Sequence, residues 1–174
     1  MQERRARDIM IPLDSYPHIP YWFTLRQVVA EMEKSEIEID GKQSLPRVVL
    51  VFDEQYQLLG TVRRRDIMKG LEPKFIENMG HHKMQEPFTV EGDTELIDFT
   101  SGKVAQSIRE QAERPVSSVM TPITSTADAD DHLAKLIYML VSRDISLLPV
   151  LDNGKVVGVV RSVDLLHEVA EILE

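Results

Sequence analysis

One seven-residue pattern occurs twice in this chain, which requires the fold to be built from two related halves. Gly60-Thr61-Val62-Arg63-Arg64-Arg65-Asp66 and Gly158-Val159-Val160-Arg161-Ser162-Val163-Asp164 both begin with glycine and continue with two small or β-branched residues. Both carry arginine fourth and aspartate seventh, and both end an apolar run and open a helical one. The correspondence extends upstream in unchanged order, the signature of an internal repeat. Ser118-Val119-Met120-Thr121-Pro122 answers Asp8-Ile9-Met10-Ile11-Pro12, and Leu133, Leu136, Ile137 and Leu140 answer Leu25, Val28, Val29 and Met32. Leu147 to Leu151, Asp152 and Val156 to Val160 answer Val48 to Phe52, Asp53 and Leu58 to Val62. The spacing between matched residues shrinks along the chain, so the first half carries extra residues, chiefly in 36–46.

Local signals predict the elements. Thr24 followed by Gln27 is a capping box that starts a helix ending near Ser35. Residues 36–46 form a polar connection with an Asp40-Gly41 turn signal. Arg47 to Phe52 reads as a buried strand and Leu58 to Val62 as its neighbour across the turn Asp53 to Gln57. Arg63 to Asp66 turns into a helix over Ile67 to Leu71. Leu13 to Phe23 holds Pro17 and Pro20 and reads as an extended segment. Its aromatics Tyr16, Tyr21, Trp22 and Phe23 belong to core and rim, or alternatively stack on a ligand base. Residues 72–114 are broken by Pro73, Gly80, Pro87, Gly92 and Gly102, with one helix at Lys103 to Glu113 placing Val104, Ile108 and Ala112 on one face. The expected organisation is a first repeat at 1–71, an irregular connection at 72–114 and a second repeat at 115–174.

Composition narrows the functional classes. Apolar residues make up 43% and charged residues 28% of 174, which supports a packed core. A net charge of −9 argues against a general nucleic-acid or anionic-membrane binder. With no cysteine there is neither disulfide nor thiolate chemistry. No apolar run approaches the ~20 residues of a membrane span, and 1–10 is too charged for a secretory apolar segment, so the expected location is cytoplasmic. His81-His82 has no companion at metal-ligand spacing, and no serine, histidine and acid combination forms a nucleophile motif. A metal site and an enzyme are therefore not expected.

The order M-T-P, helix, L-P-V-L-D, strand, G-V-V-x-x-x-D resembles the cystathionine β-synthase (CBS) domain, and two in tandem resemble a Bateman module. Val116 to Leu173 carries the closer likeness. The first half departs at Leu50, where the second has Pro149, and at Ile11, where the family often has threonine. The resemblance implies an α/β fold of two CBS repeats, each a small sheet with helices on one side, packed sheet against sheet about a pseudo-twofold axis. Two clefts would lie at the seam. In the family such clefts commonly take AMP, ADP, ATP or S-adenosylmethionine, with the seventh-position aspartate on the ribose. That role falls to Asp66 and Asp164, beside Gly60, Gly158, Thr121, Val62 and Val160. A carboxylate suits it, since it accepts from both vicinal hydroxyls, but each aspartate would equally serve to cap its helix. Where the family has serine or threonine on phosphate, this chain has Arg63 and Arg161. Either would meet a phosphate through its fork of donors or fill the cleft; alternatively Arg63 to Arg65 is a solvated charge run or pairs with acidic residues of a partner chain, and Arg161 serves a structural pairing.

Two functions remain. One is an adenine-nucleotide-sensing regulatory module acting on a partner chain, dimeric through the helices carrying Val28 and Leu136. The other is a ligand-free CBS dimer serving as an interaction scaffold.

Overall fold

Five successive apolar residues must be covered on both faces, and β5 (Val48–Phe52) is buried at every position. Its side chains divide by parity. Val48, Leu50 and Phe52 join Ile11, Tyr16, Leu147 and Val159 in one cluster, whereas Val49 and Val51 join Val28, Met32, Val62 and Ile67 in another. The first cluster draws on two sheets and fills the space between them. The second lies between one sheet and its helices. The structure, a computed structural model, describes residues 3–39, 41–74 and 101–174.

The elements, in chain order, are α1 (Ala6–Ile9), β1 (Ile11–Pro12), β2 (His18–Pro20), α2 (Leu25–Lys34), β3 (Ile37–Ile39), β4 (Lys42–Ser44), β5, β6 (Leu58–Arg63), α3 (Arg64–Leu71), α4 (Ser101–Gln111), β7 (Thr121–Pro122), β8 (Ala127–Asp128), α5 (Leu133–Arg143), β9 (Leu147–Asp152), β10 (Lys155–Arg161) and α6 (Ser162–Leu173). Two four-stranded sheets have orders β2-β5-β6-β7 and β8-β9-β10-β1. Each pairs its first two strands in parallel and the rest antiparallel, so the sheets are built alike. The predicted two-sheet α/β fold is the observed one.

The outermost antiparallel strand of each sheet comes from the other half of the sequence. Ile11 lies opposite Val159 and Pro12 opposite Gly158, while Pro122 lies opposite Gly60 and Thr121 opposite Thr61. The exchange reaches the cores. Ala6 is buried with Leu136, Leu140, Leu148 and Val150, and Val116 with Val28, Val49 and Val62. It also explains the two glycines. A Cβ on Gly60 would meet the Thr121 carbonyl oxygen at 2.5 Å, and one on Gly158 would collide with that of Ile11. Close strand approach, with no unusual turn, makes both positions glycine.

The Thr24–Gln27 cap, the helix ending before Ser35 and the strands of both halves lie where the sequence predicts them. Three elements differ. Residues 36–46 contain a two-stranded hairpin, β3 against β4, with Gly41 at φ +76° where a left-handed turn requires it. The predicted turn at Arg63 to Asp66 is absent as such, because β6 runs through Arg63 and α3 begins at Arg64. The helix expected at 103–113 spans Ser101–Gln111, with Ala112 buried and Ile108 exposed. The predicted breaks at Gly80, Pro87 and Gly92, and His81-His82, lie outside the described residues. Among those described, no helix is long and apolar enough to cross a membrane.

Candidate ligand-binding cleft

Arginine cannot accept a hydrogen bond, so it cannot cap a helix as serine or threonine does. Arg63 and Arg161 nevertheless occupy the N-cap positions of α3 and α6, and in each case the aspartate three residues on closes the helix start instead. Asp66 Oδ2 accepts from the Arg63 backbone N–H at 2.9 Å and from Nε at 3.0 Å, and Oδ1 accepts from Nη2 at 2.9 Å. Asp164 Oδ2 accepts from the Arg161 N–H at 2.9 Å and Nε at 3.0 Å, and Oδ1 from Nη2 at 2.7 Å. Capping and bidentate ion pairing thus act together, with the carboxylates also placed favourably in the helix dipole. The spacing alone does not impose this fork. Asp8 accepts from the Arg5 N–H at 2.9 Å in the same way, yet the Arg5 guanidinium reaches the carbonyl of Asp130.

The fork sets the ionisation at Asp66. Burial works to raise its carboxyl, but hydrogen bonds from the Arg63 side chain and backbone, with the charges of Arg63 and Lys69, outweigh it and hold the carboxyl below its ordinary 3.8. The same hydrogen bond raises Arg63.

Asp164 and Arg161 line a cleft of about 950 Å³, ample for a nucleotide-sized ligand. Its walls come from four separated segments. β10 and α6 supply Arg161, Ser162, Val163, Asp164, His167 and Glu168. The first half's opening supplies Arg4 and Asp8 to Pro12, followed by Ser15 and Tyr16. The hairpin region adds Glu38, Gln43, Leu45 and Arg47, and Ser146 and Leu147 close the seam side. Tyr16 is buried and its hydroxyl donates to the Val48 carbonyl. Burial pushes its phenol up, opposed by Arg161 and reinforced by Asp164. Glu168 is engaged by Arg4 at 2.6 Å. Arg47 and Glu38 have no ion-pair partner among the described residues.

The other predicted residues take distinct places. Gly158 lies against Ile11 at the cleft's edge strand, and Gly60 against Thr121 in the other sheet. Thr121 is exposed, and the cleft at Asp164 is lined by its counterpart Ile11. The side chains of Val62 and Val160 are fully buried in the helix-side cores, which leaves only their backbones to face a ligand. Asp66 and Arg63 lie outside this cleft. Tyr21 and Phe23 pack on the core and Trp22 is exposed, so these aromatics form no part of its lining. Of the aromatics offered as ligand-stacking groups only Tyr16 lines the cleft, and the sequence reading missed Arg4, Glu38, Arg47 and Glu168, whose only shared signal is that they converge in space. Among the described residues, no group of three or more His, Asp or Glu could hold a metal ion.

Residues 116–171 match the CBS domain family. Comparison with curated proteins gives no match in sequence. Solved structures of the same fold include the CBS domain of a CBS-domain-containing membrane protein from Sphaerobacter thermophilus, 21% identical, covering 95% of this chain and 88% of that one, with a TM-score of 0.65. CBSX2 in complex with AMP is 16% identical, with 98% of both chains covered and a TM-score of 0.63; CBSX2 is a CBS-pair protein of Arabidopsis thaliana. The cytosolic domain of the Mg2+ channel MgtE in complex with ATP is 17% identical, covering 97% of this chain and 49% of that one, with a TM-score of 0.60. The second half thus matches the CBS domain in sequence, and the described residues share the fold of solved CBS-domain structures.

Proposed function

We propose that the protein is an adenine-nucleotide-sensing regulatory module that acts on a partner chain. The observation that carries this reading is the cleft at Asp164, which has nucleotide size, a carboxylate at the helix start and an arginine beside it. Neighbours of the same fold in complex with AMP and with ATP support the ligand class. Binding across the seam would favour one arrangement of the two sheets and so pass a signal to whatever docks outside. A homodimer through the helices is part of this reading. Val28 and Leu136 themselves are buried within the chain, so the contacting groups would be exposed neighbours such as Tyr138, Val141, Val163 and Leu166.

The scaffold alternative is favoured by one observation, that both aspartates already hold an arginine. A thermal-shift series with AMP, ADP, ATP and S-adenosylmethionine separates the two, because a ligand bound only by the folded state raises its stability. The sensing reading expects at least one adenosine ligand to raise Tm and Asp164→Ala to weaken it more than Asp131→Ala. An unmoved Tm at millimolar ligand selects the scaffold.

A further inference from the structure

The first turn of α3 carries charge that its fold does not require. Arg64 and Arg65 are exposed and have no ion-pair partner among the described residues, and Lys69 stands exposed one turn beyond them. Cations at a helix N-terminus oppose the helix dipole, and Arg65 with Lys69 adds like-charge repulsion at i,i+4. Arg47 joins them through the backbone, because its carbonyl accepts from the Arg64 N–H at 3.2 Å. Its side chain is likewise exposed and has no ion-pair partner among the described residues. Met68, 65% exposed, follows Arg64 by one turn and sets an apolar side chain among the charges.

The second half reaches the same local structure without this charge. There the equivalent backbone bond runs from the Ser162 N–H to the Ser146 carbonyl at 2.9 Å. Ser146, Ser162 and Val163 thus occupy the places of Arg47, Arg64 and Arg65, while both helix starts close with an aspartate on the preceding arginine. Three cations mark one half only, in a chain whose net charge is −9.

We infer that Arg47, Arg64 and Arg65 form a docking surface for a short acidic segment of a partner protein, with Met68 receiving an apolar side chain set between the acids. Guanidiniums meet carboxylates through two parallel donors, and methionine adapts to whichever apolar group lies between them. The net negative charge of the chain selects the class of partner. A nucleic acid carries phosphate along its whole length and would run from the patch onto repelling surface. A short acidic segment ends where the patch ends. This inference goes beyond the nucleotide reading and does not depend on it, although Arg47 also lines the cleft and the patch therefore begins at its rim.

Fluorescence anisotropy of the full chain with a labelled peptide in which glutamates flank a leucine tests this. The comparison ligands are the same peptide with glutamines for glutamates and a single-stranded oligothymidylate of equal length. The glutamate peptide is expected to bind at low salt and to weaken as salt rises, with both comparison ligands about tenfold weaker or more. Arg64→Ser with Arg65→Val installs the second half's residues; it should weaken the peptide by about tenfold or more while Tm holds or rises. Met68→Ala should weaken it by a smaller factor. Arg143→Glu, at an exposed cation of α5, changes the net charge by the same amount and should leave binding within about twofold. An equal loss in Arg143→Glu reduces the effect to net charge and overturns the surface. A lowered Tm in the double variant gives the arginines a structural role and overturns it as well. Oligothymidylate binding as tight as the peptide transfers the patch to nucleic acid, and displacement of the peptide by AMP transfers it to the cleft's ligand. No binding of the glutamate peptide at low salt overturns the inference and leaves the nucleotide reading untouched.

Discussion

The Arg63–Asp66 and Arg161–Asp164 pairs are nearly superimposable in local geometry, yet they differ in what surrounds them. The carboxylates are similarly sheltered, at 11% and 9% side-chain exposure, but Arg63 is 52% exposed and Arg161 only 16%. The difference comes from elsewhere in the chain. Glu38 and Gln43 of the β3–β4 hairpin, an insertion the second half lacks, line the cleft at Asp164 together with the Tyr16 turn and the opening of the first half. Identical helix starts therefore become unequal sites, because tertiary neighbours and not the motif decide how far each guanidinium is removed from water.

The largest expected effect bears on what the halves share. Gly158→Ala and Gly60→Ala each force a Cβ against a backbone carbonyl of the exchanged strand, and each should cost about 2–3 kcal/mol in chemical denaturation. A cost confined to one of them would show that only one exchanged strand is held tightly. Next comes the contrast itself. Asp164→Ala should weaken AMP by about tenfold or more in calorimetry, while Asp66→Ala changes it less than about twofold. Equal losses would put the ligand in both halves and remove the significance of the hairpin.

The smallest effect concerns protons. The folded Asp66 carboxyl titrates below its ordinary 3.8, so its stabilisation is complete above that value and is lost as pH falls through the folded value. Asp66→Asn should lower stability by about 1 kcal/mol at neutral pH, the worth of a helix-start carboxylate. The gap from wild type should close as the melting temperature is followed below pH 3.8. A gap constant with pH would assign the loss to packing and not to the Arg63 pair.

The sequence shows the repeat, both sheets' central strands and the two helix-start aspartates, because each of these depends on partners within a single turn or hairpin, whereas it gives no sign that each aspartate holds its own arginine. Asp164 stands three residues after Arg161, so a helix start brings the carboxylate to the Arg161 backbone N–H, but that spacing does not fix the side-chain fork, as Arg5 and Asp8 show. The β3–β4 hairpin escapes detection because its strands are three residues each and Lys42–Ser44 is wholly polar, too short and too hydrophilic for a period of two to stand out. The cleft lining escapes for a different reason. Arg4 and Glu168 meet across almost the whole length of the chain, and no local spacing encodes that approach. Val62 and Val160 sit in the pattern beside functional positions, but strand alternation turns their side chains to the helices.

The exchanged strands also set an order of events when the chain is made. β6 is complete once residue 63 exists, but the strand that covers its edge begins at Thr121. Pro12 waits longer still, until Gly158 has been added. An uncovered strand edge is an invitation to pair with other chains, and contacts between such distant residues form slowly. A nascent first half therefore spends the synthesis of about a third of the protein with its sheet unfinished, and the other sheet gains its edge only when the last strand closes on the first.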